Sequence, residues 1–575
     1  MTRAPNGLAP VVKSRICIAS LRCSSVKHVQ YSPSSRLGPL ATTRFHSVRQ
    51  TVRRSRQLAL LVLVLAAPML ALAQPAVPSA ETVIGLFDQW RFKEAEQTLA
   101  ELKENGDPGA LYAEGYERFL SGDYPSAVTK LKAAGSGMPV QELLQLAEGA
   151  EKSIKGHKEK RSPHFMIRYP EEDAVLADYA LEALEAATAA LGSDLGFVPP
   201  RMIPVDILRS PTDLALVTAL SVDDVERTGT IAVSKWGRIM LSTPRSMRLG
   251  YAWLDSLSHE LVHYVVAYMT HDRTPVWLQE GLAKFLERRW TDPPGLGLSP
   301  TLQHLLAKGL ASGKLISFDA MHPSMAKLPR AEDASLAFAE VTTAIGLLFS
   351  TGGMPALRQV LTQVADGADA RVAVARAYGG SGTWADFEKA WRSFMTAQHY
   401  RVVPGFEALA PKYRKGSAIS ARRAPAEDES SQDSSGAERF LRLGNMLLQR
   451  SRVRAASAEY EKGAKLAGTT SWLFSVKLGR SYLALGEADR ALAAVAPVQA
   501  LYPELPWPHL IAGQALLAKG DAASAVAPLL ASLAANPFDP SVHCSLASAY
   551  KKLPADAVPA SKRQRAERDC RGLSN

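Results

Sequence analysis

The stretch LSHELVHYVV, Leu257–Val266, carries His-Glu-x-x-His inside an apolar segment. It belongs to GYAWLDSLSHELVHYVVAYM, residues 250–269, which has no interior Pro or Gly and reads as one helix. His259 and His263 are four apart, so they project from one helical face about a turn apart. Two imidazoles so spaced can share one tetrahedral zinc ion, and Glu260, beside the first of them, can reach a water on that metal. The competing reading is a core helix that carries two structural histidines. With 12 His in 575 residues, chance produces the motif in roughly one chain in a hundred, so its surroundings decide.

Downstream, TPVWLQEGLAKFLERRW, Thr274–Trp290, puts Pro275 ahead of a second helix and Glu280 within it, 17 residues after His263. A carboxylate from a second helix completes a His2Glu set and leaves one position for water. A third histidine, as in H-E-x-x-H-x-x-G-x-x-H, is excluded because Val266 and Met269 occupy those positions, and His271 lies two residues too late. Glu287, seven residues beyond Glu280, reads either as a carboxylate that orients a liganding histidine or as a solvated partner of Arg288 and Arg289. Asp255, one turn before His259, has the same two readings.

HELVH followed by WLQEGLAKFLE resembles the gluzincin zinc metallopeptidases, in the branch called peptidase MA-like. The second motif is similar to the W-L-x-E-G-x-A segment of aminopeptidase N-type enzymes. The resemblance covers roughly residues 160–400. It implies a Zn2+ cofactor held by His259, His263 and Glu280, with Glu260 as the catalytic general base, and hydrolysis of a peptide or protein substrate. It also implies an edge strand that pairs with extended substrate, matched here by GRIMLSTP, Gly237–Pro244. Relatives supply a Tyr or His oxyanion donor on a later helix. In ASLAFAEVTTAIGLLF that position is Phe338, which leaves Tyr251, Tyr378 and His271 as candidates. The alternative function is a repeat scaffold whose peptidase-like domain binds peptide or zinc without significant catalysis.

The region 160–405 reads as an α+β domain. HFMIRYP and MIPVDILR are strand-like, AVLADYALEALEAATAAL is helical, and TGTIAVSKWGRIMLS reads as a hairpin turning at Trp236-Gly237. After Pro244 the pattern is helical to about Gln398. Arg414–Glu438 is polar and aperiodic, a disordered linker by composition.

Residues 437–575 carry an internal repeat. Gly444, Gly479 and Gly513 are spaced by 35 and 34 residues, while Gly486 and Gly520, Ala491 and Ala525, and Pro503 and Pro537 are each 34 apart. This resembles the tetratricopeptide repeat and implies a separate all-α solenoid that binds a protein partner. A weaker copy at residues 80–155, with Ala95 and Ala127 32 apart, reads as degenerate helical repeats that dock on the neighbouring domain.

Eleven of the 67 Lys and Arg lie in residues 1–57, where there is no acid; the other 56 balance 56 Asp and Glu. The body is therefore neutral and carries no footprint for nucleic acid. The basic stretch runs into LALLVLVLAAPMLALA, Leu58–Ala73, about sixteen apolar residues ending in an A-x-A site. Residues 1–73 read as a signal segment with an extended n-region, the start itself lying further down near Val48 or Val52. Cleavage near Ala73 gives a periplasmic or secreted bacterial protein; an uncleaved segment would anchor it in the membrane, facing outward. Cys544 and Cys570 remain in the mature chain, where an oxidising compartment permits a disulfide.

Overall fold

In the computed structural model the described residues are 78–574, apart from positions 219, 326, 327, 381, 407, 408, 410, 411 and 415–435. The signal segment and nearly all of the stretch read as a linker lie outside them. Five helices come first: α1 (Ala80–Asp88), α2 (Phe92–Glu104), α3 (Ala110–Leu120), α4 (Tyr124–Ala133) and α5 (Met138–Ser153). An α/β segment follows, with β1 (Lys158–Arg161), β2 (Phe165–Tyr169), α6 (Ala174–Leu195), β3 (Ile203–Leu208), α7 (Pro211–Val217), α8 (Val222–Thr228), β4 (Ala232–Lys235) and β5 (Arg238–Ser242). Then come α9 (Trp253–Thr270), α10 (Val276–Leu286), α11 (Pro300–Ser312), α12 (Ala331–Ala365), α13 (Ala370–Tyr378) and α14 (Trp384–Ala397).

The sheet runs β1-β2-β3-β5-β4, with β2, β3 and β5 parallel and the two outer strands antiparallel to their neighbours. This corrects one expectation. The segment Gly237–Pro244 does not supply the edge: its strand β5 lies between β3 and β4, and Ile239, Met240 and Leu241 are wholly buried. A strand so apolar needs a neighbour on each side. The edge falls to β4, whose Ala232, Val233 and Ser234 are half-buried and whose Lys235 is exposed. β1, the sequence KEKR, is exposed throughout and gave no alternation to read.

The first five helices share a hydrophobic core with the sheet segment. Their junction is polar as well as apolar. Arg168 of β2 faces Asp206 of β3 in register and donates to it at 2.7 Å. Arg168 also donates to the Gly122 carbonyl at 2.6 Å, in the α3–α4 turn, and Tyr124 of α4 donates to Asp206. Removing one partner of such a buried pair costs about 3–5 kcal/mol.

The C-terminal helices are α15 (Glu438–Gln449), α16 (Val453–Ala467), α17 (Trp472–Ala484), α18 (Ala488–Leu501), α19 (Pro506–Ala518), α20 (Ala522–Ala535), α21 (Pro540–Lys552) and α22 (Ala560–Ser574). Each packs on the next in chain order, α17 on α19 and α19 on α21 as well. The spaced glycines mark the crossings. A methyl group on Gly444, Gly479 or Gly513 would fall under 3.0 Å from Tyr460, Val495 or Leu529, in each case the residue sixteen positions on. His509 and His543, 34 apart, repeat another contact: each ring meets the carbonyl of a proline six residues earlier, at 2.9 and 2.7 Å. Gly115 and Leu131 of the α3–α4 hairpin reproduce the sixteen-residue crossing.

These helices also touch the sheet segment. Lys562 and Arg565 of α22 pair with Glu182 of α6, and Arg568 pairs with Asp178. The Arg245 guanidinium lies 3.8 Å from the centre of the Phe538 ring. A Cys544–Cys570 disulfide ties α21 to α22.

Glu340 of α12 is fully buried. One carboxyl oxygen accepts from the Ile316 amide at 3.0 Å, and the other has no hydrogen-bond partner. Burial pushes this carboxyl up from 4.5 to about 8. Between those values the unfolded chain binds fewer protons than the folded one, so stability falls as pH rises. Wild type should lose up to about 1.4 kcal/mol per pH unit in that window relative to Glu340→Gln. Paired urea titrations at pH 4.5 and 8 measure the difference.

Candidate metal centre

Helix α9 carries His259 and His263 on the side that faces α10. It ends at His271, whose backbone is left-handed (φ 52°), with Thr270 bonded back to the Val266 carbonyl at 2.7 Å. Helix α10 then returns along α9, so that Gln279 meets His263 and Glu287 meets His259. Its opposite face lies against α12. A methyl group on Gly281 would fall 2.9 Å from the Val341 carbonyl oxygen and 2.9 Å from an Ile345 carbon, so only glycine allows this approach. Glu280, the preceding residue, is thereby directed at the histidines.

The two Nε2 atoms stand 3.1 Å apart, and Glu280 Oε2 lies 3.3 Å from each. A tetrahedral centre with bonds of about 2.0–2.1 Å has its ligands roughly 3.3 Å apart, so the three atoms fit one zinc ion. The outer nitrogens are taken up elsewhere. His259 Nδ1 lies 3.1 Å from Glu287 Oε2, and Lys284 holds the other Glu287 oxygen at 2.6 Å. His263 Nδ1 lies 3.1 Å from Gln279 Oε1. Gln279 Nε2 in turn donates to Asp272 at 3.4 Å, and because a carboxylate only accepts, this fixes the amide oxygen toward the ring. With both Nδ1–H groups donating outward, two imidazole lone pairs and a carboxylate converge. That arrangement calls for a cation among them.

The electrostatics agree. Burial pulls the His259 imidazolium down, but Glu280 and Glu287 outweigh it and hold the ring at about 9. Burial opposes ionisation of Glu280, and the charges and hydrogen bonds of His263 and His259 overcome it, pushing its carboxyl well below the usual range. Burial raises Glu260, although both histidines and the Ser234 amide of β4 pull the other way. The His259, His263 and Glu280 side chains keep 14, 15 and 22% exposure, so the centre is open to a ligand.

His259, His263 and Glu280 thus come together, with Glu260 beside them; among the described residues this is the one trio of His, Cys, Asp or Glu spaced to hold a metal. Glu287 takes the orienting position. Asp255 does not: it accepts from the Trp290 indole at 2.8 Å, and burial pushes it up to about 6. The oxyanion candidates are engaged elsewhere. The Tyr251 hydroxyl donates to the Ser242 carbonyl, His271 Nδ1 lies 3.0 Å from the Gln89 carbonyl, and Tyr378 packs edge-on to Phe387. The sequence pattern points to carboxylates as orienting groups and does not single out Gln279. Its signal is a polar residue directly before the expected ligand Glu280, in the first half of α10.

A family model of the Peptidase MA superfamily matches residues 183–397, a span that includes every residue of this centre. A comparison with curated proteins returns no match. The match supports a peptidase MA-like domain and, at the coarse level, a peptidase-type hydrolase.

Gly281→Ala should push α10 off α12 and displace Glu280. Overpacking of this kind costs about 1–3 kcal/mol. Denaturant unfolding gives the loss, and metal titration of the same variant should show weakened binding.

Proposed function

We propose that the protein is an exported zinc-dependent peptidase. One observation carries the reading: three ligand atoms lie 3.1–3.3 Å apart with both imidazole Nδ1 atoms held from behind. His259, His263 and Glu280 would hold the ion. Zinc bound there supplies Lewis acidity, polarising a carbonyl and acidifying a water. Glu260 takes the proton from the attacking water and delivers it to the leaving amine, for which its burial-raised carboxyl suits it.

Extended substrate would pair with β4. Ser242 N–H donates to the Ile231 carbonyl, and residues alternate along an antiparallel pair. Val233 and Lys235 therefore turn their backbone groups to β5, while Ala232 and Ser234 turn theirs to the open edge. An added peptide strand would find main-chain groups there, beside the helix α9 that carries Glu260.

Export rests on the apolar segment before Gln74, and the Cys544–Cys570 disulfide fits an oxidising compartment. The sixteen-residue crossings support the tetratricopeptide reading of the C-terminal helices, which would recruit substrate or a protein partner. The scaffold reading draws on the engagement of Tyr251, His271 and Tyr378 away from the centre.

Purified protein should hold one zinc per chain and cleave a peptide library, and His263→Ala should lose most of the metal. Glu260→Gln should keep zinc and fold while cleavage drops about a hundredfold or more. Undiminished cleavage by Glu260→Gln, or zinc binding with no cleavage by wild type, would overturn the catalytic reading.

A further inference from the structure

The β4–β5 turn is gripped from outside by the N-terminal helices. Trp236 and Gly237 form a two-residue turn with left-handed backbone at both positions (φ 54° and 68°), the geometry that matches strand twist. The Trp236 ring packs edge-on to Phe119 of α3, centroids 5.6 Å apart. Arg238, fully buried, places its guanidinium 4.1 Å from the Phe119 ring and 5.6 Å from Trp236, and donates to the Val217 carbonyl at 3.2 Å. On the other side Arg201 lies 4.2 Å from the Phe92 ring of α2, and a methyl on Gly237 would meet its Nη2 at 3.1 Å.

Strand β4 itself is four residues long and hydrogen-bonded along one edge. A short, half-exposed edge strand has little stability of its own, so the turn governs where it lies. Strand β4 packs against α9, the helix that carries Glu260. A shift of the turn therefore moves the open edge relative to the general base.

We infer that the N-terminal helices are an intramolecular clamp on the β4–β5 turn, and that Trp236, seated on Phe119, is a positioning residue that aligns the substrate-pairing edge of β4 with Glu260. The inference rests on the peptidase reading for its consequence in catalysis. It accounts for a helical segment whose repeat pattern alone suggests partner binding: Phe92, Phe119 and Tyr124 are spent on this chain's own sheet.

The test compares Trp236→Ala, Phe119→Leu and Trp236→Phe in the full chain. One substrate is a short chromogenic one spanning the scissile bond, the other a peptide long enough to pair along β4. Trp236→Ala and Phe119→Leu should keep zinc and raise KM for the long peptide roughly three- to tenfold, the worth of one aromatic pair, with kcat and the short substrate little changed. Trp236→Phe should restore the wild-type value. Hydrogen exchange of the Ala232–Lys235 amides should quicken in both weakened variants, whether or not any peptide is cleaved. Unchanged exchange in β4 would overturn the clamp. Faster exchange with equal losses on both substrates would overturn the positioning role, and an inactive wild type with faster exchange would leave the clamp standing and remove the peptidase reading instead. If Trp236→Ala does not fold, Phe119→Leu carries the same comparison.

Discussion

An imidazole has two nitrogens, and at His259 and His263 the hydrogen is claimed on the Nδ1 side, by Glu287 and by Gln279. The inner lone pairs then converge with Glu280, and the geometry of a cation site follows. Both claims come from α10, which must run back along α9 at one fixed distance. That distance depends on Gly281 against α12, and α12 is itself core along most of its length. The depth of helical packing behind the centre is thus what holds three small polar groups in a constellation only about 3 Å across.

Much of this was legible in the sequence. Two histidines four apart and a glutamate in a second helix specify a shared face and a return helix, because helical periodicity is local and strong. The hairpin turn at Trp236-Gly237 was legible for the same reason. What could not be read was pairing order. Gly237–Pro244 and Ala232–Lys235 are adjacent in sequence, and only the sheet decides that the apolar one goes inside and the other becomes the edge. Strand β1 has no hydrophobic face at all and forms because β2 offers it a ladder. The partners of Tyr251, Asp255 and Gln279 lie 9, 35 and 16 residues away along the chain, beyond any local pattern.

One hairpin design serves two ends. The glycine crossing recurs in α3–α4 and through α15–α20, yet its surroundings differ. At the C-terminus successive hairpins cover one another, and their cores are distinct from that of the sheet segment. At the N-terminus there are too few units to bury their faces on each other, so Phe119 and Tyr124 turn to the sheet, where Arg168, Arg238 and Asp206 await them.

The buried pair Arg168–Asp206 bears on where the peptidase MA-like domain begins. The span matched by the family model starts at residue 183, and β1 starts at Lys158. A truncation at Lys158 would strip Tyr124 and the Gly122 carbonyl from that pair and open the aromatic cover of Arg238 to water, and one at residue 183 would remove Arg168 itself. The unit that folds is therefore larger than the unit that is recognisable by descent. Grafting or shortening this domain by sequence alignment would cut through its core, and the workable boundary lies ahead of α1.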